Sequence, residues 1–166
     1  VKIRENSIAI VGWHDGLAGQ VDAWFKKTKE HHVACFINPT DQPLDIDPTK
    51  IQRDARKFSY PTKTSFKDSP LINSSEWPDI IKKLGIKKIL VTTDDMHQRY
   101  EQIEQAKKNG LKLINAIHPT SYINEEVIME ENIILYPRAY VGYRAELFTG
   151  TTINTGAQID HHCVLK

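Results

Sequence analysis

From Ile117 onward, every sixth residue is aliphatic or methionine: Ile117, Ile123, Met129, Leu135, Val141, Leu147, Ile153, Ile159 and Leu165. If about a quarter of positions were aliphatic by chance, such a run would be on the order of a one-in-10⁵ event. A second register, offset by four, holds Ser121, Val127, Ile133, Ala139, Ala145, Thr151, Ala157 and Cys163, mostly small or β-branched. Neither an α-helix (period 3.6) nor a plain strand (period 2) sustains a repeat of six. A parallel β-helix does, because each short strand sends one apolar side chain inward and then turns. A β-sandwich of short strands is the alternative, but its strand spacing would vary. At about eighteen residues per coil the stretch makes just under three coils, and a solenoid needs a cap on its open end. The count therefore predicts a piece of a longer protein.

Upstream the pattern is that of an α/β domain. Ser7-Ile8-Ala9-Ile10-Val11-Gly12 reads as a buried strand, and the loop Gly12-Trp13-His14-Asp15-Gly16-Leu17-Ala18-Gly19 follows. Leu17, Val21, Trp24, Phe25 and Thr28 then fall at helical spacing. Strand, glycine-rich turn and helix open a nucleotide-binding βαβ unit, where backbone N–H groups can hold a diphosphate. The glycines at 12, 16 and 19 do not match G-x-G-x-x-G, so a plain strand-to-helix turn is the competing reading. Val33–Asn38 is a second, parallel strand. Its end, Asn38-Pro39, is either a ligand contact or an Asn-Pro turn. Residues 39–75, with five prolines, read as a long packed excursion with a short helix over Ile51–Phe58. Trp77, Ile80, Ile81 and Leu84 mark a helix with Pro78 in its first turn, ended by Gly85. Lys88–Thr93 is a third strand, Asp94 or Asp95 caps the next helix, and Met96, Tyr100, Ile103 and Ala106 form its buried face. Leu111–Ile117 is the fourth strand. The expected domains are residues 1–117, α/β with a parallel sheet, and 118–166, the β-helix, parted at His118-Pro119.

Composition excludes some classes. Of 166 residues, 40% are apolar and 26% charged, an ordinary globular balance. A net charge of +1 gives no reason to propose nucleic acid or an anionic membrane as partner. No apolar run is long enough to span a bilayer, and the opening Val1-Lys2-Ile3-Arg4-Glu5-Asn6 lacks a signal-peptide core. Cys35 and Cys163, both expected to be buried, fit a reduced, cytoplasmic compartment.

Candidate chemistry lies in the glycine loop, in Asn154-Thr155-Gly156 and in Asp160-His161-His162-Cys163. A histidine at the edge of a rung can act as a general base near neutral pH, and an exposed turn residue is the alternative. Zinc is the third reading. Adjacent residues of extended backbone point to opposite faces, however, which keeps His161 and His162 from binding one ion and puts Asp160 across from His161. No metal is expected.

The strand-glycine loop, the small α/β domain, Ile117-His118-Pro119-Thr120, the six-residue coils, Ile153-Asn154-Thr155-Gly156-Ala157 and Ile159-Asp160-His161-His162-Cys163 together resemble the bacterial sugar acetyltransferases of the left-handed β-helix class. These include the UDP-4-amino-sugar N-acetyltransferases and the related sialic acid O-acetyltransferases. The resemblance implies a homotrimer with a Rossmann-like domain that binds a nucleotide sugar, and acetyl-CoA as co-substrate along the coil. It implies His161 as general base, Asn154 beside the acceptor, and direct transfer without an acyl-enzyme. Sugar-nucleotide contacts map onto Gly12, Trp13, His14 and Gly16, onto Asn38, and onto Thr93 and Asp94. Two departures stand out. The position after the base is usually acidic in the family and is His162 here, a third candidate catalytic residue that cannot raise the basicity of His161 by charge. Gly12-Trp13-His14-Asp15-Gly16 also replaces a tighter Gly-x-x-Gly-His pattern. Expected activities are N-acetylation of a nucleotide-linked amino sugar, O-acetylation of a sialic-acid-like sugar, or sugar-nucleotide binding without catalysis.

Overall fold

A computed structural model describes residues 1–45 and 58–166. Of the helix expected over Ile51–Phe58, all but Phe58 lies outside the described residues. The chain divides into two compact units, Val1–Lys112 and Leu113–Lys166. That division falls five residues before the one read from the sequence.

The first unit is built on β1 (Ser7–Val11), which is buried along its whole length. It pairs in parallel with β2 (His32–Asn38) on one side and with β5 (Lys88–Val91) on the other. Strands covered on both faces need continuous apolar runs, and Ile8-Ala9-Ile10-Val11 and Val33–Ile37 supply them. Beyond β2 lie β4 (Ser69–Asn73), also parallel, and the antiparallel β3 (Ser65–Phe66). With β6 (Lys112–Leu113) the order is β3-β4-β2-β1-β5-β6. The stretch expected to be irregular thus contributes two strands. Pro70 hides β4, because proline cannot donate to a ladder, but here it precedes Leu71–Asn73, the residues paired with β2. The two-residue turn between β3 and β4, Lys67-Asp68, has φ of 49° and 66°. Positive φ at both central residues is what a tight hairpin turn requires, with or without glycine.

Among the described residues, three α-helices pack with the sheet: α1 (Gln20–Thr28), α2 (Trp77–Lys83) and α3 (Met96–Lys108). Gly85, at φ 74°, follows the end of α2. The buried face of α1 is Val21, Asp22, Trp24 and Phe25, and Thr28 is exposed rather than inside. In α3 the buried residues are Gln102, Ile103 and Ala106, while Met96 and Tyr100 are 81% and 64% exposed. Periodicity sets which residues share a face, not how far the partner surface extends. β5 ends at Val91, two residues earlier than expected, and the first turn of α3 opens toward a cleft instead of the sheet.

The second unit is a stack of two-residue strands: β7 (Ala116–Ile117), β8 (Tyr122–Ile123), β9 (Ile128–Met129), β10 (Ile134–Leu135), β11 (Tyr140–Val141), β12 (Glu146–Leu147), β13 (Thr152–Ile153), β14 (Gln158–Ile159) and β15 (Val164–Leu165). They form three parallel sheets, β13-β10-β7, β14-β11-β8 and β15-β12-β9. Residues eighteen apart pair directly, as Ile117, Leu135 and Ile153 do. All nine residues of the aliphatic register occupy the second position of a strand. Leu135, Val141, Leu147 and Ile153 join Ile133, Ala139 and Ala145 in one buried cluster, against which Ile117, Ile123, Met129, Ile159 and Leu165 pack. Each fully buried aliphatic side chain is worth about 1.5–3 kcal/mol. The expected fourth strand, Leu111–Ile117, is in fact two: β6 ends the sheet, and Ala116–Ile117 already belongs to the first coil.

A third register is conformational. Glu126, Asn132, Arg138, Arg144, Gly150, Gly156 and His162, again six apart, all have φ between 56° and 85°. From Glu126 on, each corner of the coil turns on a left-handed residue, and glycine fills only two of these seven places.

Candidate active site

In the first unit a cleft of about 540 Å³ opens where β1, β2 and β5 end. Six residues expected to hold a sugar nucleotide line it: Gly12, Trp13, His14, Asn38, Thr93 and Asp94. Chain crossovers bring these distant segments together because parallel strands all finish at one edge of the sheet.

Gly12 allows the closest approach. Its φ is 112°, and a Cβ there would lie 2.5 Å from Thr92 Oγ1 and 3.2 Å from the Thr93 nitrogen. The Gly12 amide donates to the Ile37 carbonyl at 2.9 Å, which ties the end of β1 to β2. His14 then starts a π-helical turn, Asp15–Gly19, that runs into α1. The Gly16 amide donates to His14 Nδ1 at 3.2 Å, and the Leu17 amide donates to the His14 carbonyl at 3.1 Å. Gly16 does not line the cleft: its N–H is already satisfied by the histidine ring.

Asn38 is buried. Its Nδ2 donates to the Gln42 carbonyl at 3.1 Å and to Asn73 Oδ1 at 2.9 Å. Both amide hydrogens are thus used in fixing the loop after β2 to β4, and only Oδ1 is left to meet a ligand. Thr93 Oγ1 donates to Gln102 Oε1 at 2.6 Å, and Arg99 Nε donates to the Thr93 carbonyl at 2.6 Å. Asp95 caps α3, accepting from the Gln98 amide at 2.8 Å.

The sequence reading missed the far wall, which is the polar face of α3: Gln98, Glu101, Gln102 and Gln105. Their spacing of three and four was a legible signal, obscured by the apolar residues at 96 and 100. With Asp94 and Asp95 this wall is rich in acceptors, and it faces the backbone of the Gly12–His14 turn.

In the second unit, Asn154 and His161 lie at successive corners of the coil with β14 between them, and both are exposed. The chain by itself does not bring them to one corner. His161 and His162, by contrast, do come together. Their Nδ1 atoms are 2.9 Å apart and the rings meet edge to face, with centroids separated by 5.1 Å. The alternation expected of extended backbone fails because this is a corner, with His162 at φ 59°. Asp160 is not across from His161 either. Its Oδ1 accepts from the His161 amide at 2.7 Å and lies 3.9 Å from His161 Nε2. The His162 ring stands edge-on to Tyr143, whose hydroxyl donates to Glu126 at 2.8 Å. Arg144 also bonds Glu126, at 2.6 Å, and covers the Tyr143 ring. These two bonds hold the Glu126 carboxyl below the usual carboxylate range, the arginine bond being the larger cause. Among the described residues no cluster of side chains has the makings of a metal site.

No family model matches this chain. In fold, however, it is shared with acetyltransferases. PerB from Caulobacter crescentus, in complex with CoA and GDP-perosamine, superposes with a TM-score of 0.77 at 18% identity, over 99% of this chain and 67% of its own. The acetyltransferase domain of PglB from Neisseria gonorrhoeae, in complex with acetyl coenzyme A, gives 0.72 at 21% identity, over 96% of this chain and 66% of its own. A histidine-to-alanine mutant of the Caulobacter crescentus GDP-perosamine N-acetyltransferase, with CoA and GDP-perosamine, gives 0.65 at 20% identity, over 99% and 67%. This chain spans about two thirds of the length of these proteins. Among the described residues no helix is long and apolar enough to cross a membrane.

Proposed function

We propose that this chain belongs to an acetyl-CoA-dependent N-acetyltransferase acting on a nucleotide-activated amino sugar. One observation carries the reading. On a chain with the fold of PerB, a protein solved with CoA and GDP-perosamine, six residues expected to contact a sugar nucleotide line one cleft. Residues 1–117 are then a Rossmann-like sugar-nucleotide domain. Taken in chain order, its parallel strands β1, β2, β4 and β5 occupy the third, second, first and fourth positions counted from β4, and the cleft lies at the reversal of that order, where doubly wound sheets bind ligands. Residues 118–166 are the start of a left-handed β-helix of acyltransferase type.

The chemistry follows from the side chains. His161 Nε2 takes a proton from the sugar amine as the amine nitrogen attacks the thioester carbonyl carbon. A new C–N bond forms, the tetrahedral intermediate collapses, the C–S bond breaks and CoA leaves as its thiolate. Asn154 lies beside the acceptor. Tyr122, Ile128 and Val164 are exposed on the outer faces of the coil, which supports a homotrimer that covers them.

The test is thiol release from acetyl-CoA with a panel of GDP-, UDP- and CMP-linked sugars, with His161→Ala as control. Turnover on an amino sugar that vanishes in the control is the expected result. Turnover on a hydroxyl acceptor would make the enzyme an O-acetyltransferase. A folded protein that binds a sugar nucleotide and releases no thiol would be a binding module.

A further inference from the structure

We propose that His162 is a positioning residue: it accepts the Nδ1–H of His161 and so presents the Nε2 lone pair of His161 as the base. The proposal rests on the acetyltransferase reading for its direction and on the corner geometry for its existence. An Nδ1-to-Nδ1 separation of 2.9 Å is a hydrogen bond only if one ring carries the proton and the other the lone pair. The two rings are therefore opposite tautomers. Which nitrogen of a histidine is protonated is set by the bond its other nitrogen makes. At 3.9 Å, Asp160 is too far from His161 Nε2 to form a hydrogen bond that would fix the opposite choice.

His162 is itself held. Its left-handed backbone, at φ 59°, turns the ring back toward His161, where an extended residue would point away. Its amide donates to the Tyr143 carbonyl of the neighbouring coil at 3.0 Å, and its ring stands on that tyrosine. Tyr143 in turn is tied down by Glu126 and Arg144. When His161 Nε2 takes the substrate proton, the Nδ1–H stays on His161 and its bond to neutral His162 strengthens as the ring becomes cationic. The histidine pair thus orients the base without a carboxylate, at a position where an acidic residue would have done so by charge.

The test compares His162→Gly with His162→Asn in the acetyl-transfer assay. Glycine suits the left-handed backbone and removes only the ring. Asparagine tolerates the same backbone and places an amide oxygen near the lost Nδ1. His162→Gly is expected to lower kcat about tenfold or more with little change in either KM, as loss of an orienting partner does, and His162→Asn to restore most of it. A His162→Gly enzyme as fast as the parent, with His161→Ala inactive, overturns the proposal and leaves the acetyltransferase reading intact. Loss in both variants, with no rescue by asparagine, overturns it as well. A second measurement needs no turnover: nitrogen-15 NMR of histidine-labelled protein is expected to show His161 protonated at Nδ1 and His162 at Nε2. Both rings protonated at Nε2 would sink the idea whatever the activity.

Discussion

The backbone of His161 packs directly on Gly142 of the neighbouring coil: a Cβ at position 142 would lie 2.6 Å from the His161 nitrogen and 2.7 Å from the Asp160 carbonyl carbon. The obstacle is main chain, which cannot swing aside as a side-chain tip can. Gly142→Ala is therefore expected to cost on the order of 1–3 kcal/mol of stability. It should also displace His161 and lower acetyl transfer in protein that remains folded. Urea unfolding measures the first effect and kcat the second.

Gly12 has a comparable constraint at the other site. Thr92 Oγ1 and the Thr93 main chain leave no room for a methyl group, and φ is 112°. Gly12→Ala should destabilise by at least about 2 kcal/mol, combining backbone strain with overpacking. Sugar-nucleotide affinity should fall with it, because Thr93 and the Gly12 turn line the same cleft. Calorimetric titration with a GDP- or UDP-sugar at a temperature where the variant is folded would check this.

Arg138 turns its corner at φ 60° with its side chain exposed. Glycine relieves the left-handed strain and gives back part of the gain through a freer unfolded chain. Arg138→Gly is expected to stabilise by about 0.5 kcal/mol, read as a higher urea midpoint with an unchanged slope.

Asp22 carries a pH dependence. It is almost wholly buried, and burial raises its pKa above the usual carboxylate range despite the Lys26 ammonium 3.0 Å away. Between the ordinary range and the raised value, the folded chain holds a proton that the unfolded chain has released. Stability therefore falls as pH rises through that window. Asp22→Asn removes the titration, so its stability relative to the parent should grow from mildly acidic to neutral pH. A difference that stays flat with pH in chemical unfolding would refute this account.

Much of the candidate site was legible because its residues follow strand ends. Gly12, Asn38 and Thr93-Asp94 could be placed once β1, β2 and β5 had been read as buried apolar runs. What escaped was whatever depended on a partner's extent or on backbone sign. Pro70 masked β4, a strand whose pairing with β2 begins only after the proline. The apolar Met96 and Tyr100 drew attention away from the glutamine face that forms the cleft wall. Cys163, expected inside, is partly exposed near the end of the described coil, whereas Cys35 is buried and its thiol pushed up to about 12.

The sequence by itself determined the coil. A six-residue aliphatic period admits few backbones, because only a turn after every short strand keeps each of those side chains inside. It likewise determined the buried strands of the sheet, whose continuous apolar runs need cover on both faces. Only the tertiary structure decided the chemistry at the corners. A left-handed backbone at His162 reverses the direction its ring would take in extended chain; the residue type there does not announce that sign of φ, and only the six-residue register it shares with Gly150 and Gly156 does.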